Sequence, residues 1–434
     1  MKIAWVTPLA QTSAIGRVSA AVLRALAARD HEVLVIRSEH DRADASPTHP
    51  VSVPTIWWHD ATPADIEAQN DVIVLNFGDN YNFHAGALAF VDKVSCLGIF
   101  HDFYLYNLFN RWLVHAGLDE QAHDREVCLT YNENLRELAK MAWGGTAPIE
   151  RVAEMMPMTE WIARRCGAAL AHAHFYIPRL ESSCPGPIAV APLCYEARPV
   201  NPLPTGKKGR IAITCVGIVN PNKCVDSLIT AIASSALLRK RCQLRLVGAI
   251  APSERDRLNS LCRRTGYKDV IVLGEVDDVT LVSELDGADI LSCLRNPVLE
   301  GASASAIEGM LAGRPIVVAN AGFYSELPDD LVFKVPSAID VASLRATLEA
   351  LVNNEHLRRD TGAKARIWAS QNFTTDTYVP ILENLILQFI GAKPLLSVGK
   401  RIGHQLAMLG ISLNDPSVGQ LATKMTDLFG GDRS

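Results

Sequence analysis

The chain has 434 residues, enough for two domains of ordinary size, and 48% of them are hydrophobic against 21% charged, which excludes wholesale disorder and supplies large cores. Its formal net charge of −5 and the lack of any basic run speak against a general nucleic-acid binder. The ten cysteines are scattered, with no C-x-x-C pair and no Cys/His spacing of a zinc site, which fits free thiols in a reducing, cytoplasmic compartment.

The opening apolar run Lys2 to Pro8 is too soon broken for a signal peptide, and no apolar run reaches the length of a membrane span, so any membrane contact is expected to be peripheral, at the inner face. A loop from Leu9 to Ala14, an amphipathic helix through Ala28 and a strand from His31 to Arg37 follow. This opening belongs to a doubly wound α/β domain, where ligands bind at the carboxyl ends of the strands. The loop lacks G-x-G-x-x-G. Gly16 either lets the backbone approach a phosphate or is a plain turn glycine.

Asp71 to Asn76 and Cys96 to Phe100 read as buried strands, each followed by a polar cluster: Phe77 to His84, and His101-Asp102. Asp102 could orient the imidazole, bind hydroxyl groups or cap the next helix. Aromatics crowd this half (Trp57, Trp58, Phe77, Tyr81, Phe83, Phe103, Tyr104, Tyr106, Phe109, Trp112), more of them expected in the core than stacked on sugar rings. Glu120 to Trp143 reads as one long helix. Ala168 to His174 and Ile188 to Leu193 read as strands, with His172 and His174 on one face as structural residues rather than metal ligands.

Residues 1–197 are therefore expected to form the first domain, and the Pro-rich segment 198–209, with Pro199, Pro202 and Pro204, the linker. From residue 210 to 372 strands alternate with helices again, implying a second parallel sheet. Gly217-Ile-Val-Asn-Pro-Asn-Lys223 places a glycine at a strand end and a lysine at the next helix start, a geometry that aims one positive charge at a diphosphate. Helices at 338–353 and 355–370 follow, then a helix from Thr375 to Ile390, with short amphipathic helices expected beyond.

The most informative stretch is Leu294-Arg-Asn-Pro-Val-Leu-Glu300-Gly-Ala-Ser-Ala-Ser-Ala-Ile-Glu308-Gly-Met-Leu-Ala-Gly-Arg-Pro-Ile-Val-Val. Small residues at 301–305 open a helix whose first turn has free N–H groups and a positive dipole end, a place for a phosphate. Glu300 in the loop and Glu308 two turns inside could accept hydroxyl groups on either side of it. The stretch resembles the Glu-x7-Glu motif of family 4 retaining glycosyltransferases, including Leu-Arg-x-Pro, Ala-Gly-x-Pro-Ile-Val-Val and the later Gly322-Phe-Tyr-Ser-Glu326-Leu-Pro.

That resemblance, covering roughly residues 1 to 392, implies a GT-B fold: α/β, two doubly wound parallel-sheet (Rossmann-like) domains facing across a cleft. Residues 373–392 would be a crossover helix packing back on the first domain, and 393–434 a helical extension suited to a second subunit, a homo-oligomer or a membrane surface. It implies transfer of a sugar from a UDP- or GDP-sugar to a saccharide or lipid-linked acceptor, with retention and without metal or cofactor; no D-x-D occurs in the chain. By the same resemblance His101, Lys223 and Glu300 would be catalytic. Gly16, Gly217, Glu275, Val276, Gly301, Ala302, Ser303 and Glu308 would bind the donor, and His84 and Asp102 would lie on the acceptor side. One departure stands out: many relatives carry Arg or His immediately after the glycine, and this chain has Ile218. With the C-terminal extension, it leaves open a catalytically weakened nucleotide-sugar-binding subunit, unless Arg295 or Arg17 supplies the missing charge; a nucleotide-sugar epimerase on the same architecture is the other alternative.

Overall fold

The computed structural model describes residues 1–42, 46–196, 210–411, 415 and 418–421; the 198–209 linker and most of the end of the 393–434 extension lie outside them. Among the described residues, thirteen short strands, mostly apolar and buried on both faces, form two all-parallel sheets. The first contains β1 (Lys2–Thr7), β2 (Glu32–Arg37), β3 (Thr55–Trp57), β4 (Val72–Phe77), β5 (Cys96–Phe100), β6 (Ala168–Ala171) and β7 (Ile188–Val190), in the order β3-β2-β1-β4-β5-β6-β7. The second contains β8 (Ile211–Val216), β9 (Cys242–Val247), β10 (Val270–Gly274), β11 (Ile290–Cys293), β12 (Ile316–Ala319) and β13 (Phe333–Val335), in the order β10-β9-β8-β11-β12-β13. Strand order reverses beside β1 and β8, so the β1/β4 and β8/β11 crevices are the two places where a doubly wound sheet offers a ligand site.

Helices cover both sheets. The helix Ala14–Ala27 starts where Ser13 accepts the Gly16 amide hydrogen, and Ala304–Leu311 starts at Ser303, whose hydroxyl accepts from Ala306. One apolar cluster runs from the first sheet through to Leu291, Ala306, Ile307 and Met310 of the second domain, so the two domains share packed surface rather than only a tether.

Four sequence expectations change. The helix expected over 120–143 is broken into Glu120–Thr130, a 3-10 turn Glu133–Leu135 and Arg136–Trp143. At the break the Tyr131 hydroxyl donates to Glu160 (2.6 Å) and accepts from the Met158 amide (2.7 Å), and Asn132 caps the next turn; these tertiary anchors outweigh helical propensity. The last helix does not stop near Ile390 but continues from Thr375 to Met408, through Pro380 and Pro394. It packs on the first domain: Phe389 fills the space above Gly167, and Leu396 reaches Gly167 and Gly186. Lys393 Nζ donates to the Asp71 carbonyl at 2.6 Å, and Glu383 pairs with Arg29 and His31. One helical stretch between Glu355 and Met408 is, contrary to the sequence reading, apolar and long enough to cross a membrane, with a mean hydropathy of 1.3; Tyr378, Val379, Leu382, Leu385, Ile386 and Phe389 within the last helix are buried in the protein. Finally, β6 ends at Ala171, so His172 and His174 lie in the turn after it and not on a strand face.

Candidate active site

The carboxyl ends of both sheets meet at one point. The loop after β11 touches the loop after β5: Asp102 and Glu300 form an antiparallel bridge, Gly301 donates its amide hydrogen to the His101 carbonyl (2.9 Å), and Phe103 and Tyr104 donate to the Leu299 carbonyl (3.0 and 2.9 Å). A second clasp lies nearby, where the Glu326 carboxylate accepts from the amides of His174 (2.9 Å) and Phe175 (2.7 Å).

On the second-domain side, Glu300 is held by Arg295 (Nε to Oε1, 2.9 Å) and by the Tyr324 hydroxyl (2.5 Å). Burial pushes its carboxyl up, but Arg295 and Tyr324 outweigh that and hold it below the usual carboxylate range. Lys223 is buried, its ammonium donating to the Val216 carbonyl. Burial first, and then Arg295, lowers its pKa to about 8. Gly217 adopts a positive φ of 95°, and a Cβ there would lie 2.8 Å from Lys223 Nζ, so glycine is required for the lysine to fold back over the strand end. Lys223 and Arg295 are thus two buried cations close enough to repel, with the Glu300 carboxylate paired to Arg295 and acting on Lys223 as well.

The first turn of Ala304–Leu311 opens at the same place. The Gly301 amide is not free, as the sequence reading had it, because His101 takes it; Ala302 and Ser303 are the amides that lack a backbone partner among the described residues. Glu308 is buried on the first-domain side of that helix and pairs with Arg17 (3.0 Å), which also reaches Asp278 (2.7 Å). A cavity of about 230 Å³ lies between the domains beside this pair, walled by Val18, Tyr195, Leu281 and Leu285. Gly16 sits within the helix Ala14–Ala27; a Cβ there would meet the Pro8 carbonyl at 2.8 Å and the His49 ring at 3.1 Å, so its packing against the β1 loop already requires a glycine. Glu275 and Val276 follow β10, with the Glu275 side chain exposed. Ile218 is 65% exposed.

On the first-domain side the polar groups interlock around Asn76, at the end of β4. His84 Nδ1 lies 2.9 Å from the Asn76 carbonyl, His101 Nε2 lies 2.9 Å from Asn76 Oδ1, and Asn76 Nδ2 donates to the Val6 carbonyl (3.0 Å). His101 Nδ1 meets His172 Nε2 at 3.1 Å, a partner that sequence reasoning missed because 71 residues separate the two. Burial drives His84 down to about 4 and, with His172 and His84, holds His101 well below the ordinary imidazole value. Asp102 accepts from the Asp79 amide (2.8 Å); burial, with Glu300 adding to it, pushes its carboxyl up to about 7. Half of the aromatics are core: Phe77, Phe103, Tyr104, Tyr106 and Phe109 are buried, while Trp57, Trp58, Tyr81, Phe83 and Trp112 are only partly so.

Residues 201–368 match the family described as glycosyl transferases group 1. The second domain belongs to that family. A curated relative, the MMP alpha-(1->4)-mannosyltransferase of Mycolicibacterium hassiacum, is 27% identical over 196 residues, covering 44% of this chain and 46% of that protein; the chain thus spans about half the length of that relative. Among solved structures, the sucrose-phosphate synthase of Thermosynechococcus elongatus has a TM-score of 0.58 at 16% identity, covering 92% of this chain and 100% of that one. HepE of Anabaena, solved with UDP and glucose, has a TM-score of 0.59 at 17% identity over 89% and 99%. WaaG, a glycosyltransferase involved in lipopolysaccharide biosynthesis, has 0.54 at 17% over 89% and 99%. The group 1 domain and the sheet topology together make the fold GT-B.

Proposed function

We propose that the chain transfers a hexose from a nucleoside-diphosphate sugar to a saccharide or lipid-linked acceptor, with retention at the anomeric carbon. The observation that carries this is the buried pair Lys223 and Arg295 beside one carboxylate, Glu300, at the open end of a helix. A surplus buried cation calls for an anion, and a helix N-terminus adds its amides to the same place. A diphosphate fits both. HepE, solved with UDP and glucose, and the mannosyltransferase relative support the donor class.

In this reading Arg295 supplies the second positive charge that Ile218 does not. As the glycosidic bond to the diphosphate loosens, negative charge collects on the departing oxygen, and Lys223, Arg295 and the amides of Ala302 and Ser303 stabilise it in place of a metal. Glu300 holds donor-sugar hydroxyls and Glu308 the ribose hydroxyls, exchanging its contact with Arg17 for them. Gly217, Glu275 and Val276 border the nucleotide, and His101, His84 and Asp102 wall the sugar and acceptor side. Reaction in the cytoplasm, at or near the inner membrane face, suits a lipid-linked acceptor.

A thermal-shift panel of UDP, GDP, ADP and their common sugars tests the reading, with Glu308→Ala and Lys223→Ala as controls. One nucleotide should raise the wild-type Tm and neither variant's. Silence across the panel would overturn it.

A further inference from the structure

The hydrogen bonds around His101 do not close with ordinary neutral tautomers. Asn76 Nδ2 donates to the Val6 carbonyl, which fixes Asn76 Oδ1 toward His101, so His101 Nε2 must carry a hydrogen to bond it. At the other end His172 Nδ1 lies 3.0 Å from the Ala191 carbonyl, an acceptor only, so His172 Nδ1 must carry a hydrogen too. A neutral imidazole has one N–H. Both remaining nitrogens, His101 Nδ1 and His172 Nε2, are then bare and face each other at 3.1 Å.

We propose that His172 is a positioning residue for His101, and that the two rings form a one-proton site in which a single proton held between His101 Nδ1 and His172 Nε2 locks both imidazoles. With the proton bound, every ring nitrogen of the pair has a partner; without it, one contact is lone pair against lone pair. The lock reaches the cleft through the main chain. The His101 carbonyl holds Gly301 across the domain boundary, and the His172 amide donates to the Tyr176 hydroxyl (2.8 Å), which donates to the Phe100 carbonyl (2.9 Å). A Cβ on Gly301 would lie 2.7 Å from that same hydroxyl. The pair therefore sits directly under the point where the two domains touch.

The titratable groups around the pair come from six segments of the chain. His84 faces it from the helix Tyr81–Val91, and Asp102 follows His101 in the β5 loop with Asp79 bonded to it. Tyr176 lies in the turn after β6, and the Tyr378 ring packs 5.9 Å from His172 from the last helix; across the cleft stands Glu300 with Arg295. Burial holds both imidazoles below the ordinary value, His172 at about 4, so the shared proton is taken up only well below the usual histidine range of about 6.5, and charge repulsion across the 3.1 Å contact opposes a second.

The test is ring-nitrogen NMR of the full chain labelled with 15N-histidine, titrated from pH 8 to pH 3.5, which needs no substrate. At high pH His101 should be the Nε2–H tautomer and His172 the Nδ1–H tautomer, and on acidification the two should titrate together with uptake of one proton. Two independent protonations, or His101 as the Nδ1–H tautomer, would overturn the proposal. His172→Gln places an amide donor against His101 Nδ1 at every pH and should abolish that uptake; if this variant does not fold, the wild-type titration stands by itself. The functional part rests on the proposed transfer reaction and is read once a donor is known. His172→Leu should lower kcat about 10- to 100-fold through loss of positioning, and His172→Gln should restore much of it while flattening the acidic limb of the wild-type pH profile. An unchanged acidic limb in His172→Gln would sink the positioning role and leave the donor assignment untouched.

Discussion

Gly301 of the second domain donates its amide hydrogen to the carbonyl of His101 in the first, 2.9 Å across the cleft. This contact, with those of Phe103 and Tyr104 to the Leu299 carbonyl, joins the carboxyl end of β5 to the loop that carries Glu300, and it leaves no room for a side chain. A Cβ would meet the Tyr176 hydroxyl at 2.7 Å and the His101 carbonyl at 2.8 Å, with the Phe100 carbonyl at 3.1 Å.

Gly301→Ala should therefore push the domains apart at the site. Two of the three obstacles are backbone, which cannot swing away, and overpacking of this kind costs about 1–3 kcal/mol. Thermal denaturation should show a lower Tm, and small-angle scattering a larger radius of gyration; an alanine variant with wild-type values of both would contradict the closed contact.

Arg295 and Ile218 give opposite expectations. Because Arg295 already supplies the second buried cation, Ile218→Arg should change turnover by less than about threefold, whereas Arg295→Met should lower it by about 100-fold or more, the scale seen when one oriented charge-stabilising group is lost. A large gain in Ile218→Arg would mean that the present site is electrostatically incomplete, and would favour a weakened binding subunit.

The sign for Asp102 can be worked out. Its folded value, about 7, lies above the ordinary carboxylate value, so its contribution to stability is fully present below about pH 4 and is lost as pH rises through about 7. Asp102→Asn, which keeps an oxygen for the Asp79 amide, should be more stable than wild type at pH 8 and lose that difference toward pH 4. Denaturant midpoints at the two pH values check it; parallel behaviour would place the Asp102 carboxylate in contact with solvent.

Arg17 bridges Glu308 and Asp278 between the domains, yet it is 37% exposed. Pairs so placed contribute about 0–1 kcal/mol. Arg17→Met should barely move Tm, while altering the apparent donor KM because Glu308 is released. A Tm drop of more than about 5 °C would show that the bridge is structural.

The fold was readable because its determinants are local. Apolar runs ending in Gly217 or in His101-Asp102, and helices opening on Ser13 or Ser303, repeat the strand, loop, helix unit often enough to specify two parallel sheets. The spacing of Glu300 and Glu308 and the position of Lys223 marked the second-domain side in the same way. What escaped depends on distant partners. Tyr131 breaks its helix because of Glu160 and Met158, and Pro394 is carried within the last helix because Phe389 and Leu396 have glycine-lined surface to cover. His172 finds His101 only once β5 and β6 are paired. The amide of Gly301 looked free for a phosphate because nothing in the local sequence shows that the other domain would take it.

The most direct test of the central claim is titration calorimetry of the nucleotide that responds in the panel, comparing its nucleoside diphosphate with the parent nucleoside at pH 7 and pH 9. The account predicts that the diphosphate binds at least about 100-fold more tightly than the nucleoside. That advantage should vanish in Lys223→Ala and Arg295→Met and shrink at pH 9, where Lys223, with its pKa near 8, has lost its proton in the free protein. Equal affinity for nucleoside and diphosphate, or an advantage that survives both substitutions, would contradict a diphosphate site at Lys223 and Arg295.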